Sequence, residues 1–364
     1  MPKTAKHSSD RHAFRASRLV DIAMAAGVST SVAGSVLNGG RGNSRVAQST
    51  ADRIQEIAKQ LNYRPSPTAQ QLRGKPSNVF GLLVASAGDP LTSYLVEYLD
   101  EEVVEHGCQT LIGNTALAPG RFEACVDELV TRGVDGIFCL VHAIFPGDRA
   151  KLLARCPKTV FYCDPGLPGA TFVTVDQQAA GRAVADYLWR IGRRRIGFAI
   201  IDPVDAGGQE RFQGLRSAWK QLGGSTRRIA FYQGAPGTAG PLRPDERSMF
   251  WHTADDVLDA IIDQLVISHQ GEAIVAHNDF LASALLKRLR FRGIRVPEEV
   301  AVIGYLNHYL CDYVDPPLTS LDLRHHLSAK AMVEAVQEMI NGGGDESSPK
   351  TISIAPMLVV RESA

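Results

Sequence analysis

The sequence predicts an α/β protein in two parts, a three-helix N-terminal unit followed by a larger core of parallel sheets with helices on both faces. Three observations carry this. The 364 residues balance 39 Lys+Arg against 39 Asp+Glu, yet residues 1–76 hold twelve basic and four acidic side chains, a net of +8, leaving −8 to the remainder. Residues 18–63 follow a helical period. From Asn78 onward, strand-length apolar runs alternate with amphipathic stretches. The length exceeds what one hydrophobic core usually serves, and the 45% apolar content excludes disorder of the whole chain.

Taken in order, residues 1–17 are polar and basic and predict a disordered tail. Leu19 to Ala26, Ser29 to Leu37 and Thr50 to Leu61 predict three short helices, with Gly27 in the first turn and a glycine-rich loop, Gly39 to Arg45, before the third. Arg64-Pro65-Ser66-Pro67 stops the third helix, because a residue before proline is pushed out of the α region. A further short helical stretch is expected from Thr68 to Arg73. Strands are expected at Val79 to Ala85, Gln109 to Gly113, Gly136 to Val141, Thr159 to Cys163 and Phe172 to Val175. They continue at Ile196 to Ile201, Arg228 to Tyr232, Ala273 to Ala276, Val300 to Gly304 and Leu318 to Leu321. Helices alternate with them, among them Gln178 to Ile191, Arg211 to Leu222, Asp255 to Ser268 and Phe280 to Phe291. Such alternation means parallel strands, with ligand chemistry at their carboxyl ends.

Several function classes fall away. No uninterrupted apolar stretch is long enough for a membrane span, so a cytoplasmic protein without membrane contact is expected. The six cysteines lack a CxxC pair and are expected to be reduced core residues. No GxxxxGK[ST] or HExxH occurs, and Gly234 to Gly240 lacks a following Lys-Ser/Thr, so neither an enzyme nor a metal site nor a cofactor is expected. His325-His326, near His308 and Cys311, is expected to be a solvated helix start.

The first two helices fit a helix-turn-helix, with Ala23, Gly27, Ala33 and Val36 at the small, turn and packing positions. The second would place Thr30 and Ser31 against base edges, with Ser29 and Asn38 reaching phosphates at its two ends. A three-helix interaction domain would show the same periodicity; the +8 balance favours DNA.

Leu19-Val20-Asp21-Ile22-Ala23, Ala26-Gly27-Val28-Ser29, Val36-Leu37-Asn38, Leu61-Asn62-Tyr63-Arg64-Pro65 and Ala69 to Lys75, with the C-terminal Leu358-Val359-Val360-Arg361-Glu362-Ser363, occur in fixed order. The chain thereby resembles the LacI/GalR family of transcriptional repressors over residues 18–363. The resemblance implies a headpiece at 18–65, a hinge helix and linker at 66–76, and a two-lobed periplasmic-binding-protein-like core at 77–364. Lobe one is expected at about 77–175 plus 306–324, lobe two at about 176–305 plus 325–364. It implies a homodimer on a pseudo-palindromic operator of double-stranded DNA, acting as repressor, with activation or dual control as the alternative. It also implies Leu72 wedged into the minor groove. A solute-binding module of the same core fold would need a secretory signal where the basic unit stands. A small-molecule effector, a sugar or related metabolite, is implied between the lobes, at Asp164, Arg211, Trp251, Asn278, Asp279 and Asn307. Asp176-Gln177 with Gly181, Tyr305 to Asn307, and Asp322 to Arg324 would be the crossings. Two departures stand out. Val32-Ala33-Gly34-Ser35 replaces the usual Thr-Val-Ser-Arg, with Ser35 in the place of the arginine and Arg41 and Arg45 in the long loop able to restore charge, unless they are merely solvated. Leu306 replaces an aspartate that holds ligand hydroxyls, so the effector is expected to differ.

Overall fold

The computed structural model describes residues 17–37, 46–63, 76–86, 90–116, 118, 120–141, 146–201, 206–234, 254–342 and 349–364. The chain divides into two compact units, Met1–Ser77 and Asn78–Ala364.

In the first unit, α1 (Leu19–Ala26), α2 (Thr30–Leu37) and α3 (Gln48–Gln60) are too short to persist alone, and each is held by one small core. Ile22 and Ile54 are completely buried there, with Ala23, Ala26, Ala33, Val36, Ala51 and Ala58 around them. The alanines let the helix axes approach. The Arg18 N–H donates to Asp21 Oδ2 at 2.8 Å and opens α1. Gly27 closes it at φ 64°, a left-handed conformation that costs glycine nothing. The chain turns through 107° into α2, within the range of a helix-turn-helix.

The second unit contains two six-stranded sheets. The first has the order β11-β5-β4-β3-β1-β2, from β1 (Val79–Val84), β2 (Gln109–Asn114), β3 (Gly136–Cys139), β4 (Thr159–Tyr162), β5 (Thr171–Val175) and β11 (Thr351–Ile354), all parallel. The second has the order β12-β10-β9-β8-β6-β7, from β6 (Ile196–Ile200), β7 (Ile229–Gln233), β8 (Ala273–Ala276), β9 (Ala301–Leu306), β10 (Thr319–Asp322) and an antiparallel β12 (Met357–Val359). The central strands are buried along their length, as strands covered on both faces must be. The connecting helices are α4 (Pro90–Glu105), α5 (Arg121–Thr131), α6 (Pro146–Arg155), α7 (Gln177–Arg190), α8 (Ala206–Gln221), α9 (Asp255–Ile262), α10 (Asp279–Phe291) and α11 (His325–Asn341). After α9 the expected helix loosens into a π-helical turn, Asp263–Ser268. One apolar cluster runs through both lobes, from Phe138 and Val160 to Phe198, Trp219 and Ile303.

The lobe boundaries expected from sequence need correction. Residues 306–324 do not return to lobe one, because β10 pairs in parallel with β9, Thr319 opposite Ile303. Residues 325–354 do not belong to lobe two, because α11 packs on α4, β3, β4 and β5, and β11 then pairs with β5. The chain crosses between sheets three times, at Asp176, at residues 323–324 and at residues 355–356. Nor is the start of α11 solvated at His325, which is buried beneath the Tyr162 ring.

Candidate DNA-reading face and effector cleft

The α2 face is built from short side chains. Ser29, Thr30 and Ser31 are exposed, Val32 and Ser35 are half-buried, and Gly34 is buried against the rest of the unit. Ser29 Oγ accepts the Val32 N–H at 3.3 Å, so this hydroxyl caps α2. Its hydrogen stays available to a phosphate oxygen. Asn38, Arg41, Arg45 and Leu72, as well as Trp251, lie outside the described residues.

At the core's crossings, Arg211 on α8 is only 2% exposed. Its Nε donates to Gln177 Oε1 at 3.2 Å and its Nη1 to the His277 carbonyl at 3.0 Å. The guanidinium lies 3.2 Å from the centre of the Tyr305 ring. Tyr305 in turn is hydrogen-bonded through its hydroxyl to Gln177, 2.7 Å from Nε2. One cation therefore ties together the first crossing, the end of β8 and the end of β9. Asp176 caps α7, its Oδ1 accepting the Ala179 N–H at 2.8 Å.

Asn278 caps α10 by accepting the Leu281 N–H at 2.8 Å, and its Nδ2 lies 2.9 Å from His277 Nε2. Asp279 is completely buried. Its Oδ1 accepts from Ser320 Oγ at 2.5 Å and its Oδ2 from the His308 N–H at 2.7 Å. Burial raises its pKa, and those hydrogen bonds oppose the rise. Both oxygens are thus spent inside the lobe, fastening α10 to β10 and to the segment after β9. Asp164 is exposed, its Oδ1 accepting the Gly166 N–H at 2.7 Å in a turn. Leu306 is buried at φ 131°, where L-residues rarely sit. Asn307 follows in the left-handed region at φ 53°. Its N–H donates to Ser320 Oγ at 3.1 Å, and its Oδ1 is buried without a hydrogen-bond partner. That orphan acceptor is the kind of group a bound donor would satisfy.

Sequence reasoning missed an aromatic cluster beside these residues. The His308 ring lies 5.3 Å from Tyr94, 5.0 Å from Phe280 and 4.3 Å from Tyr309. Tyr94 belongs to the first lobe, and its hydroxyl accepts the Tyr309 N–H of the second at 2.8 Å. Burial lowers the His308 pKa, favouring the uncharged ring. The Leu310 N–H donates to Nδ1 at 3.3 Å, which places the ring proton on Nε2. Nothing in the spacing of Tyr94 and His308, over two hundred residues apart, signals this contact. Among the described residues no group of three His, Cys, Asp or Glu side chains could hold a metal ion.

Residues 18–66 match the family described as bacterial regulatory proteins, lacI family, and residues 185–364 match the periplasmic binding protein-like domain. The chain belongs to the lacI family. Among its relatives, the HTH-type transcriptional repressor PurR of Vibrio cholerae is 27% identical over 94% of this chain and 96% of its own length. The regulator DegA of Bacillus subtilis is 25% identical over 95% and 97%. The fold is shared with the Lac repressor dimer bound to operator and the anti-inducer ONPF, with TM-score 0.77, 19% identity and coverage of 96% and 99%. It is shared also with the regulator CelR in complex with cellobiose, with TM-score 0.63, 24% identity and coverage of 96% and 100%. Within this lacI-family headpiece the cap on α2 has a measurable value. Ser29→Ala is expected to lower stability of the first unit by about 0.5–1 kcal/mol, read as an earlier thermal transition of the helical signal. An unchanged transition would show that the cap contributes nothing.

Proposed function

We propose that this lacI-family regulator is a repressor that binds a two-fold related operator as a dimer, under control of a small molecule held between the lobes of the core. The observation that carries the reading is the pairing of a helix-turn-helix unit with a two-lobed core over nearly the full length of relatives named as repressors. The α2 face would enter the major groove, with Thr30 and Ser31 toward base edges and Ser29 and Asn38 toward phosphates. Ser35, Arg41, Arg45 and the hinge residue Leu72 complete the proposed DNA set. In the cleft, Asn307 Oδ1, the exposed Asp164, Arg211 and Trp251 are the groups proposed to meet the effector. Asn278 and Asp279 support them from below, since their side-chain oxygens are already engaged. With Leu306 in place of a carboxylate, the effector is proposed to be less hydroxylated than a free sugar. The relatives are named as regulators, and the cleft is read as a sensor, not an active site. Among the described residues no single helix is long and apolar enough to cross a membrane.

Selection of duplexes from a random library by the full-length chain tests this. A sequence with two-fold related half-sites is expected, and log affinity is expected to fall linearly with log salt, by about 0.9 per phosphate neutralised. Repeating the measurement with a metabolite panel should identify compounds that shift affinity. Recovery of no preferred duplex would overturn the reading.

A further inference from the structure

Between Val28 and Leu37 the chain has no Asn, Gln, Arg or Lys. The side chains commonest in sequence readout, which make paired hydrogen bonds to guanine or adenine, are therefore missing from α2. What α2 presents is the exposed pair Thr30 and Ser31, with Ser35 one turn on and half-buried. A serine hydroxyl can donate or accept, so it contacts any base and discriminates poorly. Ser29 already spends its acceptor on the cap. Gly34 is buried, so its missing side chain concerns packing within the unit and leaves the exposed face unaltered. The exposed group on this face with a base preference of its own is the Thr30 methyl, whose natural partner in the major groove is the 5-methyl of thymine, whereas the Val32 methyls are half-buried against the unit's core.

We propose that α2 reads its half-site through a methyl contact between Thr30 and a thymine, with hydroxyl contacts around it, and makes no guanine contact that needs N7. This rests on the operator-binding reading above. Among the described residues this face also carries no cation. Phosphate neutralisation near it must come from elsewhere in the chain, and the base preference under α2 should be insensitive to salt.

The test uses the full-length chain and the duplex it selects from a random library. Each thymine is replaced in turn by uracil, which lacks only the 5-methyl, and each guanine by 7-deazaguanine, which lacks the N7 acceptor. One uracil position per half-site is expected to weaken binding about fourfold, and the two together about fifteenfold. Thr30→Ser keeps the hydroxyl and removes the methyl, so in that variant the same uracil should have no effect. Deazaguanine in the base pairs flanking that thymine should be silent. Uniform indifference to uracil, a flanking guanine that requires N7, or uracil sensitivity that survives Thr30→Ser would each overturn the proposal while leaving operator binding standing. Should Thr30→Ser fail to fold, the analogue series on the unaltered chain decides alone. Failure to select any duplex would overturn the operator reading and this proposal with it.

Discussion

Gly181→Ala is expected to destabilise the core by about 3 kcal/mol or more. Helices α7 and α8 cross at a glycine from each. A Cβ on Gly181 would lie 2.0 Å from the Arg211 carbonyl oxygen and 2.5 Å from the Leu215 nitrogen. A Cβ on Gly214 would lie 2.4 Å from the Gln178 carbonyl oxygen. These obstacles are backbone atoms of a neighbouring helix, which cannot rotate aside as a side chain does. The helices would have to separate, and α7 and α8 share the most extensive helix–helix packing in the unit. The separation would also pull Gln177, on α7, from Arg211, on α8, removing one acceptor from a buried cation. Urea unfolding followed by the helical signal measures the loss. Gly147→Ala is the control: nothing lies within 4 Å of a Cβ there, and the site is exposed in a helix, so no loss or a gain of about 0.5–1 kcal/mol is expected. A Gly181→Ala core within about 1 kcal/mol of the unaltered chain would refute this account of the crossing.

The contrast between these glycines shows what one sequence can and cannot convey. Gly27 is legible because its role is local, a left-handed turn between two helical periods. Gly181 stands near an expected crossing, but its partner backbone is thirty residues away, and no periodicity marks such a contact. The ten expected strands are all present because apolar runs of strand length are local signals too. The expected crossing at Asp322 to Arg324 stands, but the one at Tyr305 to Asn307 fails and the one at residues 355–356 goes unread, because they depend on which sheet each late segment joins. Strands β11 and β12 are short and only half-buried, with Thr351 and Ser353 exposed. Neither marks its sheet, yet β11 joins the first sheet directly after α11 and β12 returns the chain to the second. Amphipathic spacing from Leu327 to Ile340 reveals α11 itself, though not its lobe.

In the cleft the residue types are informative and their duties are not. An acid or amide just after a buried strand points to a ligand or to a helix start. Asn278 takes the second role, because α10 begins at the next residue and its first N–H groups need an acceptor. Arg211 stands out in the sequence, but its partners Gln177, His277 and Tyr305 come from three separate segments. Leu306 stands out as a departure at once. Its consequence, an unusual backbone followed by an asparagine with an unpaired oxygen, needs the fold.

Asp279→Ala is expected to cost about 3–5 kcal/mol. The carboxylate has no solvent contact and holds two donors, the Ser320 hydroxyl and the His308 N–H. Its removal strands both and opens a void against Gly304, where even a Cβ would approach Oδ1 to 2.1 Å. Asp279→Asn keeps the shape and one acceptor, and should cost less, about 1–2 kcal/mol. The dependence on pH separates packing from charge. Burial is the largest influence on this group and raises its pKa above the ordinary aspartate value. The folded chain therefore holds the proton to higher pH than the unfolded chain does. Stability from this group is fully present below the unfolded value and is lost as pH rises through the folded one. The advantage of the carboxyl group over an uncharged amide of the same shape is the gap between the unaltered chain and Asp279→Asn in urea unfolding. That gap should be widest in acid and shrink toward neutrality. A gap that widens with pH would mean that the hydrogen bonds outweigh burial. A residue serving only as an effector contact would behave differently again: its loss would leave the urea midpoint alone and change only the response to the small molecule.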